Sequence, residues 1–157
     1  MGKEQIIERA YASFSNFVRP EHFTNFSHCE ECAEHDETMR SCSLHELGSK
    51  HVGNPGWSPI PFLTEQAFGY VFPRLLELSL TEGTNNHGKP FLLQHLLATT
   101  PAPEYRNFKA FSSDHVAVVL DSIYYIRDKM SALVQRECCD ANLGEAIEMW
   151  QRIADNK

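Results

Sequence analysis

Apolar residues along the chain recur at steps of three and four, the period of an amphipathic helix. Ile6, Ile7, Ala10, Tyr11, Phe14 and Phe17 share one face, which predicts a helix over residues 4–18. Arg19-Pro20 ends it, because a residue before proline avoids the α region. A second helix is expected over residues 28–41, with Ser27 as its N-cap. Glu30 and Glu31 fall in its first turn and Arg40 near its end, as the helix dipole favours. Ser43 and Glu46 have the spacing of a capping box, which predicts a further short helix. Thr64 opens a helix to Leu80, whose broad apolar surface (Ala67, Phe68, Val71, Phe72, Leu75, Leu76, Leu80) suits a central position. Pro73 lies inside it and clashes with the carbonyl of Gly69, so a kink is expected, relieved by the glycine's missing side chain. Pro90 fits the first turn of a short helix that buries Leu92, Leu93, Leu96 and Leu97. Ser112 or Ser113 caps the longest helix, running to Gln135. The last helix takes Asn142 as cap with Glu145 three residues on, and turns Leu143, Ala146, Ile147, Trp150 and Ile153 inward.

Between these segments the chain is broken by polar or proline-rich stretches at 53–61, 81–89 and 100–103. In the first of them Trp57 and Ile60 are expected to pin a structural crossover, with the Trp buried. No segment alternates with a period of two, and there is no internal repeat, Walker loop or dinucleotide fingerprint. The expected fold is all-α: one domain over residues 1–157, of six to eight helices, with a Pro-kinked central helix.

Charge narrows the range of partners. The 14 basic residues form no stripe and are outnumbered by 21 acidic ones, for a net charge of -7. Such a surface repels phosphate backbones and anionic lipid, so neither nucleic acid nor a membrane is expected as partner. No apolar run approaches the ~20 residues of a membrane span. The N-terminus lacks the apolar core of a signal peptide. With five cysteines, an odd number, the expected setting is a reducing cytoplasm with free or metal-bound thiols.

The densest chemistry lies in Ser27-His28-Cys29-Glu30-Glu31-Cys32-Ala33-Glu34-His35-Asp36-Glu37. Cys29 and Cys32 lie one helical turn apart, a spacing that suits two thiolates on one Zn²⁺, with His35 a turn further on. His28, or the more distant Cys42 and His45, would supply a fourth ligand. On a regular helix Cys29 and His35 stand about 240° apart, so a site using both requires the helix to begin late, near Cys32. Three readings stay open: cysteines packed as small apolar groups, a metal site, or a redox pair. Against the third, Glu30, Glu31, Glu34, Asp36 and Glu37 all disfavour a thiolate. Cys138-Cys139 are adjacent and do not readily bridge each other, and His95 and His115 read as partly buried helix residues.

Two resemblances follow from these residues. The cysteine motif resembles that of the alkylhydroperoxidase-D-like proteins, which carry Cys-x-x-Cys-x-x-x-His on a helix. Here Asp36 stands in the histidine's place and His35 comes one residue early. Residues 29–38, 53–60 and 67–73, in order within about residues 19–135, resemble a bacterial family of unknown function. That resemblance implies no activity, only that the cysteine helix, the Trp57 loop and the Pro73 helix belong together. The expected function is that of a small cytoplasmic protein acting through a protein partner, its Cys/His cluster structural or zinc-binding. The alternative is an enzyme: a thiol redox protein, or a metal-dependent hydrolase with an open coordination position.

Overall fold

The computed structural model describes residues 1–52, 56–81, 108–136 and 138–157. The expected helix at Pro90, the polar stretch after Thr81, the 100–103 break and His95 lie outside them. Among the described residues there are seven α-helices: α1 Lys3–Ser13, α2 Glu30–Arg40, α3 Ser49–Val52, α4 Glu65–Thr81, α5 Ser113–Lys129, α6 Ser131–Arg136 and α7 Asp140–Asp155. Two single 3-10 turns, Phe14–Asn16 and Ile60–Phe62, complete them. Among these residues the only extended pairing is an isolated antiparallel bridge between Thr24 and Leu63, so the all-α class holds. None of the described helices is long and apolar enough to cross a membrane.

α1 packs on α4 and α5, and α5 packs on α7. The seam is aromatic: Phe14, Phe17, Phe68, Phe72, Phe108, Phe111 and Trp150 are all buried in one connected core. His115 closes the seam on its polar side. Its Nδ1 accepts the Ser112 amide at 2.9 Å, which leaves the ring proton on Nε2 to donate to the Ser13 carbonyl at 2.8 Å. That bond satisfies a carbonyl at the end of α1, where the chain tightens into the 3-10 turn and leaves the helix earlier than residue 18.

α4 carries Pro73 within its length and does not restart there. Gly69 makes room for a neighbouring ring. A Cβ built on it would stand 2.6 Å from Cγ of the Phe17 ring, so the absent side chain makes room for Phe17 against the helix.

Other boundaries differ from expectation as well. The long helix over 112–135 divides in two: Met130 leaves the helical region at φ -119°, ψ 19°, and its carbonyl then accepts the amides of Leu133 and Val134 to start α6. α7 begins at Asp140, not after Asn142. The reason is a Schellman turn, in which Cys138 takes φ 54° while Cys138 N–H bonds the Gln135 carbonyl and Cys139 N–H bonds that of Val134. Cys139 then stands at the cap position of α7. Ser43 and Glu46 do exchange capping bonds, Ser43 N–H to Glu46 Oε2 at 2.8 Å and Glu46 N–H to Ser43 Oγ at 3.4 Å. They close a turn, and the short helix α3 starts only at Ser49.

Replacing Gly69 by Ala separates two opposed effects. Helix propensity alone would stabilise by about 1 kcal/mol. Overpacking against a buried ring costs about 1–3 kcal/mol. The expected outcome in urea unfolding is net destabilisation, reversed when Phe17→Leu is added. A more stable Gly69→Ala single variant would contradict the close approach.

Candidate functional site

α2 is held by its flanking segments more than by other helices. Asp36, buried in its middle, accepts the amides of Phe23 at 2.6 Å and Thr24 at 3.2 Å through Oδ1. Its Oδ2 lies 2.7 Å from Nδ1 of His22. Thr24 Oγ1 donates to the Cys32 carbonyl at 2.7 Å. The Phe23 carbonyl accepts Thr64 N–H at 2.9 Å, tying the same segment to the approach of α4. At the far end, Arg19 donates to the carbonyls of Cys42 and Arg40, a cation on the C-terminal dipole of α2.

This anchoring places the first turn of α2 at the surface. The N-cap is Cys29, not Ser27: Ser27 Oγ bonds Asn25 Oδ1 in the preceding turn, and His28 N–H bonds the Asn25 carbonyl. Cys29 has extended backbone (φ -160°, ψ 171°), and its Sγ accepts the amide of Cys32 at 3.4 Å. The helix thus begins at Glu30, and the Cys29 side chain swings back over the first turn.

Three ligand-type atoms meet there. The two sulfurs are 3.3 Å apart, and Cys32 Sγ lies 3.8 Å from His28 Nδ1. His28, Cys29 and Cys32 offer donor atoms all within 4.8 Å of one another, a group able to hold a metal ion. On a tetrahedral zinc ion, sulfur–sulfur edges measure about 3.8 Å and sulfur–nitrogen edges about 3.6 Å. The two distances need to change by only about half an ångström to fit.

The two thiols are unlike. Cys29 is exposed, and the Cys32 amide, the Cys32 thiol and His28 together lower its pKa. Cys32 is buried; burial, then the neighbouring Cys29 sulfur and Glu31, push its thiol up to about 11.

His35 does not join this group. Its ring is buried between Trp57, 4.7 Å away, and Phe62, 4.9 Å away. Its Nε2 stands 3.6 Å from Glu31 Oε1, beyond hydrogen-bond length. The expected set of Cys29, Cys32 and His35 is thus corrected, because Cys29 caps α2 while His35 faces its buried side. Cys42 is buried beyond the opposite end of α2, roughly 16 Å along the axis for 11 residues, and His45 is exposed near Glu77. Neither supplies the fourth ligand from there.

The Trp57 loop does pack on the cysteine helix, through His35, and Ile60 is fully buried as expected. Trp57 itself is not buried: 47% of it is exposed. One polar pair was missed from the sequence, His22 with Asp36, and the exposed Phe26 stacks flat on that imidazole at 3.8 Å. Fourteen residues separate the two partners, so no helical or turn spacing signals the pair.

No protein-family model, no curated protein and no solved structure matches the chain.

Two measurements test the support of the site. Asp36→Ala leaves two buried amides unsatisfied and should destabilise by about 2–4 kcal/mol in urea unfolding. A loss within experimental error would mean the carboxylate anchors nothing. His35 has its pKa lowered, chiefly by burial and partly opposed by Glu31. The folded state therefore resists a proton that the unfolded chain accepts below about pH 6.5. Its contribution is present above that pH and is lost as pH falls through the depressed folded value. His35→Phe, placed between the same two rings, should flatten the fall in thermal midpoint on mild acidification.

Proposed function

We propose that the protein binds one zinc ion through Nδ1 of His28 and the thiolates of Cys29 and Cys32, and presents it with one coordination position open. The observation that carries this reading is the convergence of those three donor atoms within 4.8 Å of one another. Two thiolates and an imidazole are soft and borderline donors, which favours zinc over magnesium or calcium. Three protein ligands leave room for a fourth group. His28 and Cys29 are both exposed, so that position is reachable by a side chain of a protein partner. The role is one of carrying or presenting the ion, without catalysis. Glu30 and Glu31 add negative charge around a dication.

Loading the site releases protons. Cys29 gives up its proton readily, whereas Cys32 holds one up to about pH 11 that the metal must displace. Zinc affinity should therefore rise with pH.

Metal content of purified protein, and the thiolate charge-transfer band of the cobalt-substituted form, test this directly. One equivalent is expected in the wild type and in His35→Ala. Cys29→Ser and Cys32→Ser should lose it, and His28→Ala should bind at least about tenfold more weakly. Competition with a chromophoric chelator should show weaker binding at about pH 6 than at about pH 8. Undiminished binding by both cysteine variants would sink the reading.

A further inference from the structure

We infer that the same dithiol undergoes thiol–disulfide exchange with small disulfides and that closing the Cys29–Cys32 bond expels the metal. This rests on the zinc reading above and adds to it a chemical means of release.

The geometry divides the labour between the two cysteines. Cys29 is exposed and lies outside the helix, at the extended N-cap position. Cys32 is 2% exposed, so a disulfide from solution meets Cys29 first. The Cys32 sulfur then lies 3.3 Å from the Cys29 sulfur, the only partner within its reach among the described cysteines. A disulfide bond measures about 2.05 Å, so the sulfurs close by little more than about 1 Å. Cys29 can make that movement by side-chain rotation, at the cost of its bond from the Cys32 amide. The helix backbone from Glu30 onward need not unwind.

The reaction balances in two steps. The Cys29 thiolate attacks one sulfur of the small disulfide, forming a mixed disulfide; the S–S bond of the reagent breaks, and one thiolate leaves and takes up a proton. Cys32, already a thiolate in the zinc-loaded protein, then attacks the Cys29 sulfur. The mixed S–S bond breaks, and a second thiolate leaves and is protonated. Two protein thiolates are oxidised by two electrons, and one small disulfide, with two protons from water, is reduced to two thiols. Both sulfur ligands are consumed, and His28 alone does not retain zinc. A dithiol reductant reverses the change and restores the site.

The test uses full-length zinc-loaded protein and oxidised glutathione. Released zinc is followed with a chromophoric chelator, and the disulfide is located by mass spectrometry of peptides. Cys138→Ser is included so that the other exposed thiol does not contribute. The expected result is one zinc released per Cys29–Cys32 disulfide, with uptake restored after reduction. Cys32→Ser should stop at the glutathione adduct on Cys29, and Cys29→Ser should form neither adduct nor disulfide at Cys32. Zinc that is bound and then retained, with no Cys29–Cys32 disulfide, overturns this inference and leaves the zinc reading standing. A protein that binds no zinc at the outset overturns both.

Discussion

A carboxylate buried in a helix must find donors, and the way Asp36 finds them fixes residues 22–24 along α2. Removing a lone carboxylate from water costs several kcal/mol. Charge-assisted hydrogen bonds contribute about 1.5–3 kcal/mol each. One such bond does not offset the burial, but two amides and an imidazole do. Those donors belong to residues 22–24, so the segment after the first helix is obliged to lie along α2. Once there, Thr24 reaches the carbonyl of Cys32 and Phe23 reaches the start of α4. The cysteine turn is the free end of an element fixed at its middle and at its far end.

That mechanical arrangement explains the contrast between the two thiols. Cys32 lies on the same buried face as His35, Asp36 and Met39 and is carried inward with them. Cys29 precedes the helix and is bound by none of those contacts. Three residues apart in sequence, the two sulfurs experience different solvents. The acids around them disfavour a thiolate, yet Cys29 is shifted the other way, because it accepts the amide of Cys32 and lies beside the Cys32 thiol and His28. A direct hydrogen bond outweighs solvent-screened charge at this range.

What could be read from the chain was whatever rests on local periodicity. The apolar stripes of α1, α4, α5 and α7 specify helices that bury those faces, and no segment alternates as a half-buried strand would. The boundaries were less legible where competing contacts decide them. Ser27 is the better N-cap by type, but a turn at Asn25 engages it and the cap passes to Cys29. Cys138 is an improbable residue for a left-handed turn, so the break between α6 and α7 carries no sequence signal. For the site, the sequence marked the eleven residues in which three ligand-type atoms converge, but not the sides on which they lie. Spacing favours His35 over His28 as a ligand until Trp57 and Phe62, more than twenty residues away, take His35 into the interior. Contacts of that separation have no local pattern.

The chain's two tryptophans occupy opposite surroundings, which has a practical consequence. Trp150 is buried against Phe108 and Phe111 in the aromatic seam, while Trp57 is half in water with one face on His35. Fluorescence from a Trp57→Phe variant thus reports the integrity of the helical core alone, and from a Trp150→Phe variant the environment beside the cysteine helix. The molecule carries a separate native optical reporter for each region, so an event confined to the first turn of α2 is distinguishable by emission from unfolding of the whole.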